Sequence, residues 1–338
     1  MRAVVHHAYG PPERVLSVRD IERPAVGPTE VLVRVRAASV HPDIWHVVTG
    51  TPFVLRLMGN GVSRPRLRVP GSDLAGIVEQ VGARVTRFTR GDEVFGESTS
   101  FAWKNGGAFA EYAAVQEDLL ALKPATVTFE QAATVPTSGY IALANLRGMG
   151  PLAGRHVLIN GAAGCLGSLA IQMAKAAGAR VTAVDRADTL DMMRALGADD
   201  VIDYRVRNVL DGPERYDAVL DVASTLWFDV CAPILAPGGQ YVPIGHAHFG
   251  RATGRMGGRI VGSLPAFVGL MVRGMMDAEK RKGFSMLGKP EAMAALARLL
   301  ESGQLTPVVA HRLPLEGVVE AMTWLAEERA VGKIVLAP

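Results

Sequence analysis

The chain has 338 residues, 49% of them hydrophobic and 20% charged, with a net charge of +3. That is the balance of a globular protein with room for two cores, and the charge is too small and too dispersed to indicate a nucleic-acid partner. The two cysteines, Cys165 and Cys231, supply neither a disulfide framework nor a four-thiolate zinc site.

The opening segment "MRAVVHHAYGPPERVL" has no apolar run of the secretory type. The most lipid-like stretch, Ile260 to Met276, contains Pro265 and Arg273 and is shorter than the ~20 residues of a spanning helix. A cytoplasmic protein with no membrane span is the expectation. Glu30 to Val40, "EVLVRVRAASV", alternates valines with arginines and alanines and predicts a half-buried strand. "LAGIVEQVG" and "GDEVFG" follow as short strands bounded by glycine, so this region reads as a β-rich, barrel-like domain. From Phe129 the pattern turns helical in "FEQAATVPTSGYIALANLRGMG", with breaks expected at Pro136 and Gly139. The strand "HVLIN", a helix over Gly167 to Ala177, the strand "RVTAVD" and a helix over Leu190 to Leu196 come next. "DDVIDY", "YDAVLDV" and "GGQYVPIG" complete a series of βαβ units, which predicts a parallel sheet covered on both faces. The remaining sequence gives two amphipathic helices with short strands. The fold class is α/β: a β-rich domain followed by a doubly wound parallel sheet.

The segment from Val157 to Arg186, "VLINGAAGCLGSLAIQMAKAAGARVTAVDR", carries the chemistry of the sheet. Strand, Gly161, the frame Ala162-x-Gly164-x-x-Gly167, helix, strand and Asp185 follow in the order of a dinucleotide-binding turn, with alanine replacing the first glycine of the fingerprint. The free N–H groups at the helix start, over Gly164, Cys165, Leu166 and Gly167, would face phosphates. Asp185 accepts ribose hydroxyls and disfavours a 2′-phosphate, whereas Arg186 beside it attracts one, so NADH and NADPH both stay open.

With "AASVHPDIW", "VPGSDLAGIVEQVGARVTRFTRGDEVFG", "GGAFAEYAAV", the glycine turn and "LGADDVIDY" in view, the chain resembles the medium-chain dehydrogenase/reductases over nearly its full length. The resemblance implies a GroES-like catalytic domain, discontinuous over 1–124 and 286–338, a Rossmann domain over 125–285, and a homodimer. Within that superfamily the chain is more similar to the zinc-independent branch, the quinone oxidoreductase-like and reticulon-interacting proteins. The zinc alcohol dehydrogenases have a cysteine near the position of His41, a histidine at that of Ser72 and a glutamate at that of Asp73, and a set of closely spaced cysteines where this chain has none. His41, Asp43 and His46 match no common zinc spacing, and no metal is expected.

The resemblance further implies hydride transfer from NAD(P)H to a quinone or an α,β-unsaturated carbonyl, a small-molecule substrate. It places Thr137 near the nicotinamide ribose and Tyr204 near the adenosine 2′ position. It sets Val222, Ala223, Gly245 and His246 at the strand ends that line the nicotinamide, where ligands of such sheets sit. His41 and Asp43 are the catalytic candidates, His41 as a donor to the substrate oxygen. Trp45 and Phe53 are candidate walls of the substrate pocket, Trp45 reading more readily as core. Arg56, Arg64, Arg66 and Arg68 form a basic segment, either a solvated loop or a cover over the pocket. The methionine-rich stretch from Met256 to Met286 reads as core, pocket cover or dimer contact. An enoyl-thioester or secondary-metabolite reductase, and a non-catalytic dinucleotide-binding protein, are the alternative functions.

Overall fold

The computed structural model describes residues 1–57, 61–66, 68–99, 107–226, 228–244, 287–327 and 331–338. Strands β1 (Arg2–His6) and β2 (Leu16–Asp20) pair antiparallel around the short helix α1 (Pro12–Val15). β3 (Glu30–Ser39) then leads into helix α2 (Asp43–Thr49), and β4 (Asp73–Val81), β5 (Glu93–Glu97), β6 (Tyr112–Gln116) and β7 (Leu120–Leu122) follow. Helices α3 (Phe129–Ala133) and α4 (Pro136–Gly148) pass the chain to a second sheet.

That sheet alternates strand and helix: β8 (His156–Asn160), α5 (Cys165–Ala176), β9 (Arg180–Asp185), α6 (Leu190–Ala195), β10 (Asp200–Asp203), β11 (Tyr216–Asp221), α7 (Phe228–Cys231) and β12 (Leu235–Pro243). Its five strands are all parallel, in the order β10-β9-β8-β11-β12. The chain then returns through α8 (Lys289–Glu301), β13 (Val309–Pro314), α9 (Val318–Ala326) and β14 (Lys333–Ala337). β14 pairs with β3, so the first sheet has the order β13-β14-β3-β4-β5-β7, with β6 also on β3.

Two expectations change. Val33 and Val35 of β3 are buried while Arg34 and Arg36 are not, as the alternation predicts, but residues 31–33 and 37–39 are buried on both faces, so the half-buried pattern holds only in the middle of the strand. Pro136 does not break a helix but starts α4, where its missing N–H costs nothing. Gly139 continues that helix, because a Cβ there would lie 2.9 Å from Leu296 Cδ2: α8 packs against it. Helix α2 is not foreseen in the sequence reading. The apolar stretch 260–276, the methionine-rich stretch, Gly245 and His246 lie outside the described residues.

Three cores result. One fills the β-rich sheet with Val31, Val33, Leu74, Val94, Phe109 and Leu336. A second backs the outer face of the parallel sheet with Leu158, Val219 and Tyr216. The third runs from α4, α5 and α8 to Ala75, Phe95 and Val335, so apolar burial joins the two sheets. The site lies along this seam.

Candidate active site

On the parallel-sheet side, the glycine turn leaves β8 with Gly161 at φ +80°, a backbone conformation that L side chains rarely adopt. Gly161 and Ala162 both donate their N–H to Val184 O, which pins the turn to β9. Helix α5 starts after Gly164 with no side-chain cap, so its first N–H groups remain for a ligand. A Cβ on Gly164 would meet only Gly161 O at 3.8 Å, whereas one on Gly167 would lie 2.3 Å from that same oxygen. Gly167 is therefore required by helix–turn packing, and Gly164 leaves open space in front of the helix. Ala162 and Leu166 are buried under the turn. The Cys165 thiol donates to Thr134 O at 3.3 Å, and burial pushes its pKa up.

Asp185 ends β9 beside this turn. Its carboxylate accepts from Ala163 N at 2.8 Å and from Arg186 N at 2.9 Å. Burial pushes the carboxyl up from its usual range, and those two N–H groups oppose the shift. The Arg186 guanidinium pairs with Asp188 at 3.3 Å, and Tyr204 is half exposed, with its N–H on Asp185 O. An uncapped helix start, space at Gly164 and a carboxylate at the next strand end fit a dinucleotide.

At the carboxyl end of β11 a network absent from the sequence reading holds the neighbouring loop. Buried Asp221 accepts from Asn160 Nδ2 at 2.6 Å, Leu226 N at 2.9 Å and the Tyr241 hydroxyl at 3.0 Å. Val222 and Ala223 donate to Asn160 O, and Ser224 follows at φ +51°, a strained conformation for a residue with a Cβ. Gly161 would touch Ala223 N at 3.0 Å if it had a Cβ, so the glycine turn and this loop meet.

The β-rich side is built from charges. Asp73 begins β4 and lies opposite Glu97 at the end of β5; both are buried. Each carboxylate has its own lysine from the returning chain: Lys333 Nζ lies 2.6 Å from Asp73 Oδ2, and Lys289 Nζ 2.6 Å from Glu97 Oε1. Asp73 also accepts from Ser39 Oγ at 3.3 Å and from both the N–H and the hydroxyl of Thr137, which anchors the start of α4. Burial pulls the Lys333 ammonium down, but the Asp73 charge and hydrogen bond, together with Cys165 and Glu97, outweigh it and the net shift is upward. For Glu97, burial pushes the carboxyl up against the opposing Lys289 charge. Gly332, next to Lys333, donates to Ala163 O, so β14 touches the glycine turn itself. Lys289 also stands 3.7 Å above the ring of Tyr140, whose hydroxyl donates to Leu287 O.

His41 and Asp43 precede and open α2, and both are buried. The Asp43 N–H donates to His41 Nδ1 at 3.3 Å, and its carboxylate is 3.5 Å from the same nitrogen. His41 lies within electrostatic reach of Glu97. Trp45 packs on the core of the β-rich sheet, while Phe53 is 37% exposed. Asp73, standing at the glutamate position of the zinc enzymes, is occupied by Lys333, Thr137 and Ser39, and Ser72 offers no imidazole, so these residues do not fit a zinc ion. Among the described residues no group of three or more His, Cys, Asp or Glu could hold a metal.

Residues 27–125 match the alcohol dehydrogenase GroES-like domain, and residues 196–336 match the family described as zinc-binding dehydrogenase. The chain is 31% identical over 346 residues to the 2-methylene-furan-3-one reductase of Solanum lycopersicum, covering 100% of this chain and 79% of the relative. It is 30% identical over 360 residues to the mitochondrial NAD(P)H oxidoreductase RTN4IP1 of Homo sapiens, covering 99% and 89%. This chain belongs to the medium-chain dehydrogenase/reductase superfamily, in its quinone oxidoreductase-like branch. The structure of the quinone oxidoreductase from Coxiella burnetii superposes with a TM-score of 0.80 at 26% identity, covering 100% of this chain and 99% of that one. Within that family frame, Lys333, Glu97, Lys289, Asp221 and Asn160 are the residues sequence reasoning missed. The available signals were a lysine inside the apolar run "GKIVLAP" and carboxylates at strand ends.

Proposed function

We propose that the protein is a zinc-independent NAD(P)H-dependent reductase of quinones or α,β-unsaturated carbonyls. Residues 125–285 form its dinucleotide domain, and 1–124 with 286–338 its acceptor domain. The observation that carries the reading is the uncapped start of α5, with open space at Gly164 and Asp185 beside it. The similar 2-methylene-furan-3-one reductase of Solanum lycopersicum and quinone oxidoreductase from Coxiella burnetii support the acceptor class.

A nicotinamide dinucleotide held there would supply the hydride. The chain's own residues bind, orient and neutralise charge. The first N–H groups of α5 take the pyrophosphate, and Asp185 takes the adenosine ribose hydroxyls, which favours NADH slightly over NADPH. Asp221 and Asn160 hold Val222 and Ala223 against the nicotinamide edge. His41 Nδ1 accepts from the Asp43 N–H, which leaves the proton of the neutral ring on Nε2. That Nε2–H is the donor to the substrate oxygen as negative charge develops there. Phe53 walls the acceptor pocket. β12 is an edge of the parallel sheet among the described strands, and an edge of this kind favours a homodimer.

The test is nicotinamide oxidation by metal-free protein, with NADH and NADPH against an ortho-quinone and a simple enone. Turnover without added metal is expected; cofactor binding without turnover on either acceptor rejects the reductase. His41→Ala should lower the turnover number about a hundredfold, with the cofactor KM unchanged. An unchanged turnover number removes His41 from the reaction.

A further inference from the structure

The connection from α2 to β4 has no part in that chemistry beyond Phe53. Between Ile44 and Ser72 the sequence has no aspartate or glutamate and four arginines. Of the seven large hydrophobic residues exposed among the described ones, three fall here: Phe53, Leu57 and Val62, at 37%, 62% and 53% exposure. One arginine is spent internally. Arg56 Nε donates to Gly50 O at 2.8 Å, and its guanidinium stacks 4.2 Å from the Tyr9 ring centre and 5.4 Å from that of Phe53. The Tyr9 hydroxyl in turn donates to Gly61 O at 2.7 Å. Gly61 sits at φ +101°, and a Cβ there would lie 2.3 Å from Arg64 O and 3.2 Å from Arg66 Cγ, so the chain folds back tightly at this point. The Arg66 charge reaches Tyr9. The exposed apolar and basic side chains thus lie on one short stretch of chain that is tied down at Gly50 and Gly61.

Arg64, Arg66 and Arg68 are exposed, and none pairs with a carboxylate of the described residues. Exposed apolar tips beside unpaired like charges are unfavourable in water, and an anionic interface relieves both. Guanidinium groups bind phosphates in a forked geometry that lysine lacks. A soluble phosphorylated ligand or a DNA duplex would satisfy the arginines but leave Leu57 and Val62 in water. We propose that this face docks on anionic lipid bilayers: Leu57 and Val62 enter the headgroup boundary, and Arg64, Arg66 and Arg68 bind lipid phosphates. Docking itself does not depend on the reductase reading. If that reading holds, Phe53 opens the acceptor pocket toward the bilayer, where apolar quinones and enones dissolve.

The test is co-sedimentation of the full chain with phosphatidylcholine vesicles, with and without phosphatidylglycerol, at low and high salt. Binding is expected only with phosphatidylglycerol and should fall with salt. Arg64→Gln/Arg66→Gln/Arg68→Gln should lower partitioning about a hundredfold. Leu57→Ser/Val62→Ser should lower it about tenfold. Both variants should keep the wild-type Tm, which shows that they fold, and, if the reductase reading holds, should reduce a water-soluble quinone at the wild-type rate. No sedimentation at low salt, or partitioning unchanged in both variants, overturns the proposal. Binding to coenzyme A or to a DNA duplex that the arginine variant loses, without vesicle binding, replaces the lipid surface with a soluble phosphate or a nucleic acid.

Discussion

On the dinucleotide side of the seam the groups offered to a ligand are backbone N–H groups and space, held by β8, β9 and the packing of Gly167. On the acceptor side they are side chains, and the scaffold beneath them is ionic, with Asp73–Lys333 and Glu97–Lys289. The first side is damaged by adding atoms and the second by removing charges. The comparison therefore makes opposite demands on mutation, and each can be tried.

The largest effect should follow Lys333→Met, which leaves the Asp73 carboxylate buried without its counter-charge. Breaking such a pair costs about 3–5 kcal/mol, measured by denaturant unfolding, and Asp73→Asn/Lys333→Met should recover much of it. A loss no greater in the single variant than in the double would mean that the pair is not what holds the acceptor side. Gly167→Ala should act on the other side only. Its Cβ displaces the turn at Gly161, at a cost of about 1–3 kcal/mol in cofactor binding measured by fluorescence titration. Unchanged affinity would show that the turn has slack.

Asp185→Ala should shift the NADH to NADPH preference about tenfold toward NADPH, read as the ratio of kcat/KM values. No shift would assign the choice to Arg186 or Tyr204. The smallest effect concerns pH. Because burial raises the Glu97 pKa in the folded state, the folded chain holds that proton where the unfolded one has released it. This contribution is present below the ordinary glutamate value and is lost as pH rises through the raised one. Glu97→Gln should therefore flatten the fall of Tm across that window. An identical Tm profile in the variant would place the titration elsewhere.

The asymmetry also explains what was legible in sequence. Backbone sites announce themselves by spacing, since Gly161, Gly164, Gly167 and Asp185 occur in an order that geometry imposes on one contiguous stretch. The parallel sheet was equally readable, because each βαβ unit repeats locally. The ionic scaffold was not, because its partners are distant in sequence and a lone lysine in "GKIVLAP" looks like any strand-end cation. Helix α2 stayed hidden because it is seven residues long and its apolar positions are too few to show a period. The half-buried reading of β3 holds at Val33 to Arg36 but not at the strand's ends, for a related reason: what covers those ends comes from residues far along the chain.

The order in which these charges are synthesised has a consequence of its own. The two carboxylates precede their lysines by 260 and 192 positions, so a growing chain makes both acids long before either base exists. Pairing β4 with β5 at that stage would bring two carboxylates together in a closing interior with nothing to neutralise them, and closing so long a loop is itself slow. The acceptor sheet is therefore complete only once α8 and β14 exist, and a segment translated early is finished by one translated much later.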